Sequence, residues 1–174
     1  ATSTLTLTVT PVNDAPVPNA TSATGNEDTV IAVNLSGSDV DGTVASFKLT
    51  SLPANGTFYS NAAATNPLTL ASVISATSNA ATIYFVPNAN WNGSTTFNYH
   101  ATDDDNADSN SATVTIAVAD VNDAPVAQNV NASGNEDAAS ISITLNASDV
   151  DGTVVSYSIE DLPANGRSEE HTSE

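Results

Sequence analysis

The sequence predicts an all-β protein built of tandem sandwich domains. Three observations carry the prediction: an internal repeat of about 110 residues, apolar residues that alternate with polar ones, and turn motifs that punctuate the alternating stretches. No segment shows the 3.6-residue apolar period of a helix.

The repeat sets the domain organisation. VNDAPV occurs at 12–17 and again at 121–126, and GNED at 25–28 and again at 134–137, each pair 109 residues apart. SDVDGTV at 38–44 returns at 148–154, and LPANG at 52–56 returns at 162–166, both 110 apart, so one residue is inserted before Asp149. The opening TLTLTVTPVNDAP matches TVTIAVADVNDAP in the same register. Residues 1–12 therefore read as the last strand of a preceding repeat, 13–121 as a complete repeat, and 122–166 as the N-terminal part of a following one. A unit of this length suits a single two-sheet sandwich. The tail 167–174, RSEEHTSE, abandons the repeat where the middle unit continues with Thr57 and Phe58, and its codons can be read through a common sequencing-adapter sequence. It is expected to be non-native and is set aside from the fold.

Within the complete repeat, period-2 alternation predicts strands near 29–36 (Ile31, Val33, Leu35), 43–50 (Ala45, Phe47, Leu49), 81–86, 95–101 (Phe97, Tyr99, Ala101) and 111–118. Ile141, Ile143 and Leu145 repeat the first of these in the following unit. DVDG, LPANG, PNANWNG and DDDNADSN supply the turns between them. The stretch 61–79, rich in Ala, Ser, Thr and Asn, reads equally as a loop, an extra hairpin or a binding surface.

Composition excludes several functions. The chain carries 20 acidic residues against 2 basic ones, a net charge of −18, so nucleic acid and anionic membranes are repelled and divalent cations attracted. Without the three glutamates and one arginine of the tail the balance is still −16. There are no cysteines, hence neither disulfides nor thiolate metal sites, and no long apolar run that would insert in a membrane. Consecutive carboxylates such as Asp103 to Asp105 lie in a turn without an apolar pocket to raise a pKa, so glycosidase chemistry is not expected. The sequence predicts no enzyme. His100 beside a strand is read as a surface residue, and His171 belongs to the tail. Trp91, in a turn fixed by Asn-Gly, is read as a buried turn anchor rather than a sugar-stacking platform.

The acids of the complete repeat gather in turns and linkers. In a sandwich of this order the DVDG turn and the DDDNADSN turn share the end near the chain's entry, whereas Glu27 lies near its exit. Each junction between repeats then collects carboxylate, amide and backbone oxygens, the donor set of a hard cation such as calcium.

In order and spacing these motifs resemble the cadherin-like tandem repeats of large bacterial surface adhesins, the RTX and VCBS types, over residues 1–166. VNDAPV resembles the cadherin linker DxNDNxP, SDVDG its DxD motif, ATDDDNADS its AxDxG turn, and GNED occupies the place of the conserved glutamate near the first strand. The resemblance implies an Ig-like, cadherin-like Greek-key sandwich. It also implies calcium ligands Asn13, Asp14, Asp39, Asp41 and Asp103 at a first junction, and Glu27, Asp120, Asn122, Asp123, Asp149 and Asp151 at a second. The acidic LDRE-type turn of cadherins is replaced by PNANWNG, which implies one calcium ion per junction. Thr10-Pro11 in place of Ala119-Asp120 implies weaker binding at the first. The expected function is a calcium-binding, extracellular structural repeat that stiffens an adhesin stalk, with calcium, neighbouring repeats and cell-surface glycans or proteins as partners. A glycan-binding or spacer module of a secreted hydrolase is the alternative.

Overall fold

A computed structural model describes residues 2–161, which contain strands and turns and no helix. The chain divides into two compact units, Ala1–Val121 and Asn122–Glu174.

The first unit is a sandwich of two sheets. Its strands are β1 (Val17–Pro18), β2 (Thr21–Asn26), β3 (Ile31–Ser38), β4 (Val44–Leu49), β5 (Gly56–Tyr59), β6 (Val73–Ser75), β7 (Ala80–Pro87), β8 (Gly93–Asp103) and β9 (Ala112–Ala119). One sheet runs β1-β3-β7-β5 and the other β2-β9-β8-β4-β6. The chain crosses from one sheet to the other between β1 and β2, so the two halves of its first extended segment serve both layers. The β2/β9 pair is parallel and the remaining pairs are antiparallel.

Alternation places the core. Ile31, Val33 and Leu35 of β3 and Val114, Ile116 and Val118 of β9 point into the shared interior, while their neighbours in sequence face outward. Phe58 packs edge-on against Phe97 with ring centroids 4.5 Å apart, and against Phe85 at 5.6 Å. The LPANG turn ends at Asn55, whose φ of 59° is a left-handed conformation that asparagine tolerates better than most residues. At Gly56, a methyl group would lie 2.3 Å from the Phe85 ring, so only glycine lets β5 lie this close to β7.

Tyr99 ties the layers together. Its ring is fully buried on β8, and its hydroxyl shares its proton between the carbonyl of Asn19 in the β1–β2 crossover (2.7 Å) and that of Ser36 on the facing sheet (2.8 Å). Burial raises the pKa of the phenol, which stays neutral and able to donate. Tyr99→Phe keeps the ring and removes only this bond, so it is expected to cost about 1 kcal/mol in urea unfolding.

Four strands of the first unit were not anticipated from the alternation, of which β1 is only two residues long. β2 is short and polar, β5 carries one fully buried side chain (Phe58), and β6 falls in the 61–79 stretch, where it adds an edge to β4 while Leu68 tucks into the core. Residues 2–16 form no strand, and Leu5, Leu7 and Val9 stand exposed. In the second unit, β10 (Val126–Gln128) pairs with β11 (Asn146–Ser148) in the register that β1 uses with β3: Val126 opposes Ser148 as Val17 opposes Ser38. Ile141, Ile143 and Leu145 are exposed and outside any strand, because the β7 ladder that holds Ile31 to Leu35 has no counterpart among residues 122–161. The LPANG copy at 162–166 and the tail 167–174 lie outside the described residues.

Candidate metal site

The DVDG turn that follows β3 is closed by its own first aspartate: Asp39 Oδ1 accepts from the backbone N–H of Asp41 at 3.3 Å. The other oxygen, Asp39 Oδ2, is buried and has no hydrogen-bond donor. An anionic oxygen removed from water without a partner is costly, and among the described residues only His100 Nε2 is likewise buried without a partner. Opposite it stands Asp104, from the turn after β8, whose Oδ1 accepts from the Thr43 N–H at 2.8 Å. A methyl group on Gly42 would lie 2.7 Å from Asp104 Oδ1 and 3.3 Å from Asp39 Oδ2. Two carboxylates therefore converge over the bare backbone of Gly42, a cradle that any side chain there would fill.

The linker is pinned beside this cradle. Asn13 Nδ2 donates to Asp103 Oδ2 at 2.8 Å, leaving the Asn13 amide oxygen available, and the Asp14 N–H donates to both carboxylate oxygens of Asp41 at 3.3 and 3.2 Å. Asp103 is the last residue of β8, 1% exposed, and its Oδ1 accepts from Ala107 N at 2.7 Å. Asn13, Asp14, Asp39, Asp41 and Asp103 thus share one end of the unit. Asp104 joins them there, although the spacing of three consecutive aspartates did not single it out.

Glu27 sits at the opposite end, because the whole length of β3 separates it from the DVDG turn. It is 3% exposed; its N–H donates to Ala119 O at 2.9 Å and its Oε1 accepts from Val121 N at 2.8 Å, so the carboxylate holds the chain as it leaves β9. Asp120 nearby accepts from Asn92 Nδ2 at 2.8 Å. In the second unit the entry-end pattern recurs: Asp149 Oδ1 accepts from Gly152 N at 2.9 Å, the Asp123 N–H donates to Asp151 Oδ2 at 3.0 Å, and Asn122 Nδ2 donates to the Asp123 carbonyl at 2.9 Å. The linker-to-DVDG contact is therefore a property of the repeat rather than of one copy.

Among the described residues no lysine or arginine pairs with Asp39, Asp41, Asp103 or Asp104, and no three His, Cys, Asp or Glu side chains are close enough to cage an ion unaided. The oxygen-only donors fit calcium: one orphaned carboxylate oxygen, a second carboxylate across Gly42, and an amide oxygen from the linker. The Thr43 N–H holds the Asp104 pKa below the usual aspartate range. A depressed pKa contributes stability that is complete above the ordinary aspartate value of about 3.9 and is lost as pH falls through the lower folded value. Asp104→Asn retains an oxygen for Thr43 but cannot titrate. Melting curves of the variant are thus expected to fall less steeply than wild type below about pH 4.

Trp91 is partly buried as expected, whereas His100 is more enclosed than a surface reading predicts. Trp91 packs against the core with its ring 3.4 Å from where a Gly93 Cβ would stand, as a turn anchor does. His100 is half-buried on β8, its Nε2 enclosed and 3.8 Å from Asp108 Oδ1, beyond hydrogen-bond reach.

Residues 13–117 match the family described as Bacterial Ig domain. Among solved structures, the fibronectin(III)-like modules of Clostridium thermocellum CbhA share 16% identity with the chain, covering 59% of it and 94% of the module, at a TM-score of 0.32. No curated protein matches.

Proposed function

Because this chain belongs to the bacterial Ig domain family, we propose that it is a non-catalytic extracellular repeat of a cadherin-like RTX or VCBS-type adhesin, whose junctions take up calcium and hold successive repeats in a fixed orientation. The observation that carries the reading is the buried, donorless Asp39 Oδ2 facing Asp104 across Gly42. Asp39, Asp104 and the Asn13 amide oxygen would hold the ion at the entry end of a repeat; Asp103 and Asp41 position the linker through Asn13 and the Asp14 N–H. Glu27, Asp120, Asn122, Asp123, Asp149 and Asp151 are the corresponding set around the second linker. Calcium supplies the positive charge that the sequence lacks and draws the acidic loops into one arrangement. Extracellular modules bind it with Kd values of roughly 0.1–1 mM, so the stalk stiffens only after export.

Isothermal titration of the full chain with calcium tests the reading. Binding in that range is expected, lost in the double variant Asp39→Asn, Asp104→Asn. Heats indistinguishable from dilution, or an isotherm that the double variant leaves unchanged, would reject the calcium site.

A further inference from the structure

The 61–79 stretch supplies Leu68 and β6 to the fold, and together with β3 and β7 it borders an open recess of about 600 Å3 in the first unit. That volume lies within the roughly 300–1,000 Å3 of small-ligand sites. In a chain of net charge −18, the recess is lined by no charged residue. Its accessible floor is apolar, formed by Val73, Ile74, Ala80 and Ala81 over the buried Leu35, Leu68 and Ile83, and its rim carries the hydroxyls of Ser60, Ser75 and Thr77. Among the described residues these three hydroxyls have no protein hydrogen-bond partner. At the rim, too, Asn34 accepts from Thr82 Oγ1 at 2.8 Å through its oxygen, which leaves its amide N–H groups without a protein partner.

This chemistry selects by exclusion and by match. An ion would lose its hydration and find no countercharge. A purely apolar ligand would strand the rim hydroxyls without partners. A sugar ring has one face of C–H groups for the floor and a girdle of hydroxyls that exchange hydrogen bonds with serine, threonine and asparagine. We propose that the recess between the 61–79 stretch and the β3/β7 ladder binds a neutral sugar unit. This site is separate from the entry-end acids and does not rest on the calcium reading.

Amide NMR of the full chain tests it, with lactose, maltose and cellobiose as neutral probes and glucuronate and glucosamine as charged ones, each in calcium and in chelator. Shifts confined to residues 73–83 and the facing part of β3 are expected with a neutral probe, with Kd about 1 mM for a ligand of this size. Ser75→Ala with Thr77→Ala, both at exposed positions, should weaken binding about tenfold while leaving the melting temperature in place, and Trp91→Ala should leave it unchanged. The proposal is overturned if no neutral probe shifts these residues, if the shifts centre on Trp91, or if the charged sugars bind equally well. Equal responses in calcium and chelator keep its outcome separate from that of the metal site.

Discussion

Phe58→Ala is expected to destabilise the first unit by about 3–5 kcal/mol, read as a lowered denaturation midpoint followed by Trp91 fluorescence. Phe58 is 1% exposed and meets Phe97 and Phe85 edge-on, so its loss removes the hub of the aromatic cluster that joins the two sheets. Collapse into the space is restricted on both sides. Phe85 and Phe97 lie on β7 and β8, which are paired with strands on each flank. β5 is a four-residue edge strand, and Phe58 is its only fully buried side chain. The substitution therefore releases the strand as well as opening a cavity. A loss below about 1 kcal/mol would mean that β5 is not an integral part of the sandwich.

Calcium at a hundredfold excess over Kd is expected to stabilise the folded chain by about 2.7 kcal/mol per site. For a unit near 110 residues that corresponds to a rise in melting temperature of about 10 °C. Any cation relieves some self-repulsion at a net charge of −18, so sodium at equal ionic strength is the control for screening. The specific part of the rise should vanish with chelator and in the Asp39→Asn, Asp104→Asn variant. Gly42→Ala should diminish it without changing charge, because the new methyl lies within 3.3 Å of both carboxylates. A rise that sodium reproduces in full would identify the acids as a solvated surface and nothing more.

The all-β architecture and the repeat were legible because alternation and turn motifs are local signals: Ile31, Val33 and Leu35 announce a half-buried strand whatever their partners are. What local pattern cannot convey is pairing. Leu5, Leu7 and Val9 alternate as well as any strand in the chain, and Ile141 and Ile143 copy Ile31 and Val33, yet none of them is in a ladder, since a strand forms only where neighbours satisfy its backbone. The converse holds for β2. TSATGN has little apolar content, but its backbone is taken up by β9 and its ladder needs no large side chains. At the site, the repeated NDAP and DVDG motifs pointed to the end where Asn13, Asp14, Asp39, Asp41 and Asp103 meet. Asp104 stayed hidden because three successive aspartates look alike in sequence, and only the bend after β8 turns the second of them towards Gly42. The burial of Glu27 was equally silent, being set by the return of Ala119 to Val121 beside it.

The parallel pairing of β2 with β9 bears on how such a domain carries load. Six consecutive residue pairs, from Thr21 with Val114 to Asn26 with Ala119, join a strand near the chain's entry to the strand at its exit. When the two termini are pulled apart, parallel strands slide lengthwise past each other. The bonds between them are then strained together in shear instead of being peeled open in turn. Rupture requires the whole ladder to fail at once, and tension passes from entry to exit through β2 and β9 without first prying open the aromatic interior.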